Sequence, residues 1–403
     1  MTPPARSISP DSSKSGSRYR KGREIFGECV FLVSRRTTEE SWLSYRFAWL
    51  CLCSWVVAAV LSPAFAGSVH GGGGCHNCHT MHNSQDGIPV VTGFPGGGLL
   101  NTETASDICL FCHAENYGAV LAPDPLAPAP EKGGGNFTFL TEDNISDAPD
   151  GLTLPIAGDH AGHSVVSNAY GLFPDQDFLV APGGNFPASE LGCTSCHDPH
   201  LQGTYRLLRS TGALENGYMF SYPAPQAAGI STAFGQEQPG NNTAYQAGWS
   251  NWCGNCHGAY HDSGGAGFKH PADHSMGGSE LMSYNGYDGP SNPNGGAYAT
   301  AYRPEVPIED NNRTISSTAG ATGSSRVTCM SCHRAHASSA PAALRWDPNV
   351  QFLQTDGSIS GSYAIPNPYP APDQRALCVK CHYDDAQDHG FGSPCMQCHR
   401  NPL

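Results

Sequence analysis

The stretch Cys75-His76-Asn77-Cys78-His79-Thr80-Met81-His82 holds two cysteines three apart, a histidine directly after the second, and another histidine three further on. Working outward, the Cys-x-x-Cys-His pentad recurs at Cys109/Cys112/His113, Cys193/Cys196/His197, Cys253/Cys256/His257, Cys329/Cys332/His333, Cys378/Cys381/His382 and Cys395/Cys398/His399. The pattern is the attachment signature for c-type haem. The two vinyl groups lie on one edge of the porphyrin, and one turn of chain presents both thiols there for thioether formation. The next residue then swings beneath the iron as its proximal ligand. Zinc knuckles and redox dithiols also use Cys-x-x-Cys. They do not need the adjacent histidine, whose recurrence after all seven pairs has a chance on the order of 10⁻⁹.

The rest of the composition follows from that reading. The chain has 403 residues with 17 Cys, 18 His, 48 Gly and 32 Pro, and only 39% of its residues are hydrophobic. Gly and Pro at this level predict many turns and few long helices or strands. An odd cysteine count excludes complete intramolecular disulfide pairing. A formal charge of −14 argues against a nucleic-acid partner. Residues 1–66 read as a secretory leader. Nine Lys/Arg are followed by an apolar run from Phe47 to Leu61 and by Ala64-Phe65-Ala66, with cleavage expected before Gly67. A membrane anchor is the competing reading, but about 15 apolar residues is short for a span. Removal of the leader takes Cys29, Cys51 and Cys53 with it and leaves 14 cysteines, all in motifs. Residues 67–403 then carry 12 Lys/Arg against 30 Asp/Glu, a charge of about −18, and no stretch long enough to span a bilayer. They form one domain in which seven porphyrins supply the apolar core. The expected fold is a multihaem cytochrome c: mostly coil and turns with short α-helices and little β, wrapped around a closely stacked haem chain.

Eleven histidines lie outside the proximal set: His70, His76, His82, His160, His163, His200, His261, His270, His274, His336 and His389. With every iron bis-His ligated, seven of them are distal ligands. Met219, Met276 and Met282 are too few to make His/Met ligation general, which points to low potentials. The distal candidates are His70, His82, His163, His200, His270, His336, His261 and His389; His76 reads as solvent-exposed, and His160 and His274 as surface or supporting residues. Three motifs extend to Cys-x-x-Cys-His-x-x-His, pairing His79 with His82, His197 with His200 and His333 with His336. Residues three apart on a helical turn share a face, whereas axial ligands approach one iron from opposite faces. The second histidine therefore serves a different iron and draws two haems together. Each extended motif is followed by Leu99-Leu100, Leu207-Leu208 or Ala343-Leu344 and then by a plain motif, giving haem doublets at 75–113, 193–257 and 329–382 and a seventh site at 395–399.

These residues resemble the extracellular multihaem cytochromes that polymerise into conductive filaments, most closely the six-haem outer-membrane cytochrome S type. The likeness runs through His70, Cys75 to Ser84, Ala181-Pro182-Gly183-Gly184, Cys193 to His200, Trp252 to His261, Lys269-His270-Pro271-Ala272, Cys329 to Ser338 and Gln374 to His382. It implies a coil-rich fold around stacked bis-His haems. It also implies a homopolymer in which the histidine at the position of His82 ligates a haem of the next protomer. The departure is the seventh motif, Cys395 to His399. The expected role is electron transfer, not catalysis, since all seven motifs end in His and distal candidates outnumber irons. A multihaem nitrite or hydroxylamine oxidoreductase would need an open iron. The chain is expected to be exported to the extracellular space or outer cell surface, with a monomeric periplasmic carrier as the alternative. Donor cytochromes upstream and extracellular acceptors are the expected partners.

Overall fold

The chain divides into two units, Met1–Phe65 and Ala66–Leu403. The structure, a computed structural model, describes residues 70, 75–80, 100–116, 120–121, 133–141, 145–147, 154–156, 158–230, 237–261, 272–289, 291–338, 340–346 and 378–388, all in the second unit. Among them the helices are short: α1 (Ala105–Leu110), α2 (Cys193–Cys196), α3 (Trp249–Cys253), α4 (Gly258–His261), α5 (Gly278–Gly286), α6 (Cys329–Cys332) and α7 (Val379–Asp388). Strands pair only as two-stranded antiparallel ribbons: β1 (Ile145–Asp147) with β2 (Leu154–Ile156), β3 (Gly212–Ala213) with β4 (Met219–Phe220), β5 (Gln226–Ala228) with β6 (Ala244–Ala247), and β7 (His274–Ser275) with β8 (Arg326–Val327). Coil and turns carry the remainder, as the Gly and Pro content predicts, and no described helix is long and apolar enough to cross a membrane.

The motifs set where the helices fall. In α2 and α6 a single turn puts Cys193 with Cys196, and Cys329 with Cys332, on one face. The helix stops there because the following histidine turns extended: His197 has φ −114°, ψ 138° and His333 φ −108°, ψ 159°. This corrects the helical premise used for the extended motifs. The segments His197 to His200 and His333 to His336 are not one helical turn. Instead each proximal histidine forms an antiparallel bridge with a later leucine: His79 with Leu100, His197 with Leu208 and His333 with Leu344. Those leucines are the repeat's own landmarks, so the repeat is a backbone unit as well as a sequence one. The following residue closes each unit by donating its N–H back to the second motif cysteine: Asn101 to Cys78 O (3.0 Å), Arg209 to Cys196 O (2.9 Å) and Arg345 to Cys332 O (2.7 Å).

Side-chain packing is divided into small clusters. The largest gathers Met276, Tyr284, Tyr287, Tyr302, Ile308, Trp346, Val379 and Tyr383 where α5 packs on α7. Buried Lys380 fastens that contact: its ammonium donates to Tyr287 O at 2.8 Å and lies 5.0 Å from the centre of the Tyr284 ring. Composition alone assigned the core to porphyrins, and this tyrosine-rich cluster is an addition to that reading. Tyrosine escapes a count of aliphatic residues, yet buries a large apolar body when its hydroxyl is satisfied, as Tyr284 Oη is by Val306 O at 2.8 Å.

Candidate functional site

Four motif or candidate histidines have one ring nitrogen committed to a backbone carbonyl. His197 Nδ1 donates to Arg206 O (2.8 Å), His257 Nδ1 to Pro182 O (2.8 Å), His333 Nδ1 to Ala342 O (2.8 Å) and His163 Nδ1 to Ala335 O (2.7 Å). A carbonyl only accepts, so Nδ1 carries the proton and Nε2 keeps its lone pair for a metal. Burial pulls His163 down to about 4 and His336 to about 3, and lowers His113, His197 and His257 as well, so these imidazoles are neutral at pH 7. Neutral imidazole is the ligating form.

Backbone strain aims two of those carbonyls. Arg206 and Leu207 (φ 52° and 59°) and Ala342 and Ala343 (φ 56° and 55°) are consecutive non-glycine residues in the left-handed region, at the same place in two repeats. Such pairs persist only where surroundings hold them. For His257 the holder is the Pro182-Gly183-Gly184 turn. Ala259 N–H donates to Gly183 O at 2.7 Å, and a side chain at Gly184 would put Cβ 1.7 Å from Cys256 O. Only glycine fits there.

The histidine rings form four pairs, each joining a motif histidine to one outside a motif's proximal position. His113 faces His70 with centroids 6.2 Å apart and planes at 14°, and His79 faces His200 at 5.9 Å and 20°. His257 faces His163 at 5.8 Å, and His197 faces His336 at 6.3 Å. Parallel rings in direct contact lie about 3.5–4 Å apart. A metal with an imidazole nitrogen about 2 Å away on each side separates the centroids by roughly 6 Å. The spacing therefore fits an iron held between two histidines. His163 and His336 are locked to each other by backbone bonds, with His163 N–H donating to His336 O (2.8 Å) and Gly162 bridged to Ala337. The second histidines of two extended motifs, His200 and His336, each face a histidine from a different motif.

The motif sulfurs run in chain order. Cys78 lies in electrostatic range of Cys112, Cys196 of Cys256 and Cys332 of Cys381, while Cys109 hydrogen bonds Cys193 and Cys253 hydrogen bonds Cys329. All twelve described cysteines are free of disulfides. Among the described residues no three His, Cys, Asp or Glu side chains converge as a zinc site requires.

His76, His160 and His274 are exposed, and His160 Nε2 is taken by Asp177 Oδ2 at 2.8 Å. His261 ends α4, and His382 sits in α7 with a non-helical φ of −115°. His82, His270, His389, Cys395, Cys398 and His399 lie outside the described residues. Sequence reasoning passed over the serines that cap the motif turns. Ser195 Oγ accepts Gly192 N–H at 3.0 Å, and Ser331 Oγ accepts Thr328 N–H at 3.0 Å. The signal was present in the shared pattern Cys-x-Ser-Cys-His.

No family model matches the chain. It is similar to the C-type cytochrome OmcS of Geobacter sulfurreducens, with 30% identity over 422 aligned positions that cover 81% of this chain and 97% of that protein. Among solved structures it is similar to the OmcS nanowires of that organism seen by cryo-EM, at TM-score 0.63 and 27% identity over 76% of this chain and 97% of the other. It is likewise similar to the Outer Membrane Cytochrome S filament, at TM-score 0.63 and 26% identity over 77% and 98%.

Proposed function

The chain belongs to the family of the C-type cytochrome OmcS, and from that premise we propose a secreted electron carrier that binds seven covalent haems and polymerises into a conductive extracellular filament. The observation that carries the ligand assignment is the set of four histidine pairs spaced at 5.8–6.3 Å. Each haem, when bound, supplies an iron that takes up and releases one electron without a bond being made or broken. The polypeptide's part is to anchor, orient and insulate. Cysteine pairs at 75/78, 109/112, 193/196, 253/256, 329/332, 378/381 and 395/398 hold the porphyrins by thioethers. His79 with His200, His113 with His70, His197 with His336 and His257 with His163 form the axial sets. His333, His382 and His399 take their partners from His82, His261, His270 and His389. Carbonyl acceptors at Nδ1 raise the basicity of these imidazoles and favour the ferric state, which holds potentials low.

Polymerisation is supported by the filaments named in the two similar structures and by the position of His82 directly after the first motif. We assign His82 as the ligand given to a neighbouring protomer. Export places the filament outside the cell or on its outer surface, where it accepts electrons from upstream cytochromes and delivers them to external acceptors. Electron microscopy of secreted material, with the full chain and with His82→Ala, tests this. Filaments are expected from the first and soluble haem-loaded protomers from the second. Filaments that persist in the variant remove His82 from the interface.

A further inference from the structure

Two serines outside the motifs occupy the same place at two junctions of the chain. Ser106 and Ser250 each stand three residues before the first cysteine of a plain motif, Cys109 and Cys253. Each is buried, and each reaches into the next extended motif, where Ser106 Oγ accepts Cys193 N–H at 3.1 Å and Ser250 Oγ accepts Cys329 N–H at 3.3 Å. Each also hydrogen bonds the sulfur of the same cysteine. The two sulfurs that touch across the chain are those of the cysteines these serines serve: Cys109 with Cys193, and Cys253 with Cys329. Correspondingly α1 packs on α2 and α3 on α6. In the haem-loaded protein those sulfurs are thioethers, which still accept a weak hydrogen bond, and the backbone N–H is unchanged. One hydroxyl thus ties the end of one haem doublet to the start of the next at two points.

We propose that Ser106 and Ser250 are positioning residues that fix the junctions between the second and third haem sites and between the fourth and fifth. This rests on the seven-haem reading above and assigns what joins its doublets. A role confined to capping does not explain why the cap comes from another motif's helix at both places. Ser195 and Ser331 already cap these turns locally. At the corresponding position before the sixth motif stands Arg375, which carries only donors and cannot accept a backbone N–H, so the device belongs to the two internal junctions.

The test uses the full haem-loaded chain and its Ser106→Ala and Ser250→Ala variants. Haem content by intact mass and the low-spin absorption spectrum report on the underlying reading. Absence of covalent haem in the unaltered chain would sink that reading itself. The junction is read by the coupled signal in Soret-region circular dichroism, which depends on the distance and orientation of neighbouring haems, and by the rate of internal electron exchange after flash reduction. Each alanine variant is expected to keep its haems and low-spin spectrum while losing part of the coupled signal and exchanging electrons more slowly. Coupled signal and rates equal to those of the unaltered chain would overturn the proposal. Should an alanine variant fail to take up haem, Ser106→Thr and Ser250→Thr, which keep the acceptor, decide the matter: retention of the coupled signal supports the junction role, and its loss refutes it.

Discussion

At His163 the chemistry of a single residue is set by three neighbours of different kinds. Ala335 O takes the Nδ1 proton, burial keeps the ring neutral, and His257 stands 5.8 Å away, centroid to centroid. His160, three residues earlier, is exposed and bound to Asp177. The contrast yields a prediction. His163→Met should leave the haem of Cys253 and Cys256 bound but raise its potential, because thioether ligation favours the ferrous state. His160→Ala should leave every potential unchanged in the same spectroelectrochemical titration. Strain is also local. Ala343 has φ 55°, a conformation costing roughly 1–2 kcal/mol for a residue with Cβ. Ala343→Gly removes that cost and adds glycine's larger unfolded entropy, so stability is expected to rise by up to about 1 kcal/mol, seen as a higher melting temperature with the His333 environment intact. A fall in melting temperature would mean that the Ala343 methyl group, which is buried, contributes more through packing than the strain costs.

Elements show what was legible in sequence and why the rest was not. Attachment is covalent and local, so the Cys-x-x-Cys-His pentads declared themselves, and the leucines after the extended motifs marked the repeat that His79, His197 and His333 close with bridges. The inference that the second histidine serves another iron used a helical turn that does not exist. His197 and His333 leave the helix at once because each must bond a strained turn, Arg206 or Ala342, rather than its own helix. Partners of the motif histidines come from distant segments, as His336 does for His197, and no local pattern reports that. The same reasoning explains Gly184, which read only as part of a resemblance. Its hydrogen is all that separates the turn from the carbonyl of Cys256. Gly184→Ala must push the turn away from the fourth motif, taking with it the Pro182 carbonyl that orients His257. The expected outcome is loss of bis-His ligation at one haem, visible as a high-spin signal in the oxidised protein. An unchanged low-spin spectrum would show that the turn can move without the ligand.

For the molecule as a whole, the open issue is how a seventh site sits on a chain whose described motifs already run in order from the first to the sixth. Sulfur neighbours link Cys78 to Cys112, Cys109 to Cys193, Cys196 to Cys256, Cys253 to Cys329 and Cys332 to Cys381, so the line is complete without Cys395 and Cys398. A head-to-tail polymer needs the last site of one protomer to meet the first of the next, and an open filament forms when that rotation does not close. An added site at the C-terminus therefore either lengthens the line at the interface or stands off it as a branch. The two differ in what removal does. Replacing Cys395 and Cys398 with serine should lower the intact mass by one haem in both cases. If the site lies in the line, the variant's filaments lose conductance or fail to assemble, because the junction has lost its terminal carrier. If it is a branch, filaments form and conduct as before while one haem fewer exchanges with external acceptors. The sixth motif already lies against a packed tyrosine cluster through Val379, Lys380 and Tyr383, leaving that part of the chain anchored without the seventh site. The branch is accordingly the expected result, and conductance that falls with the missing haem would place the seventh site in the line.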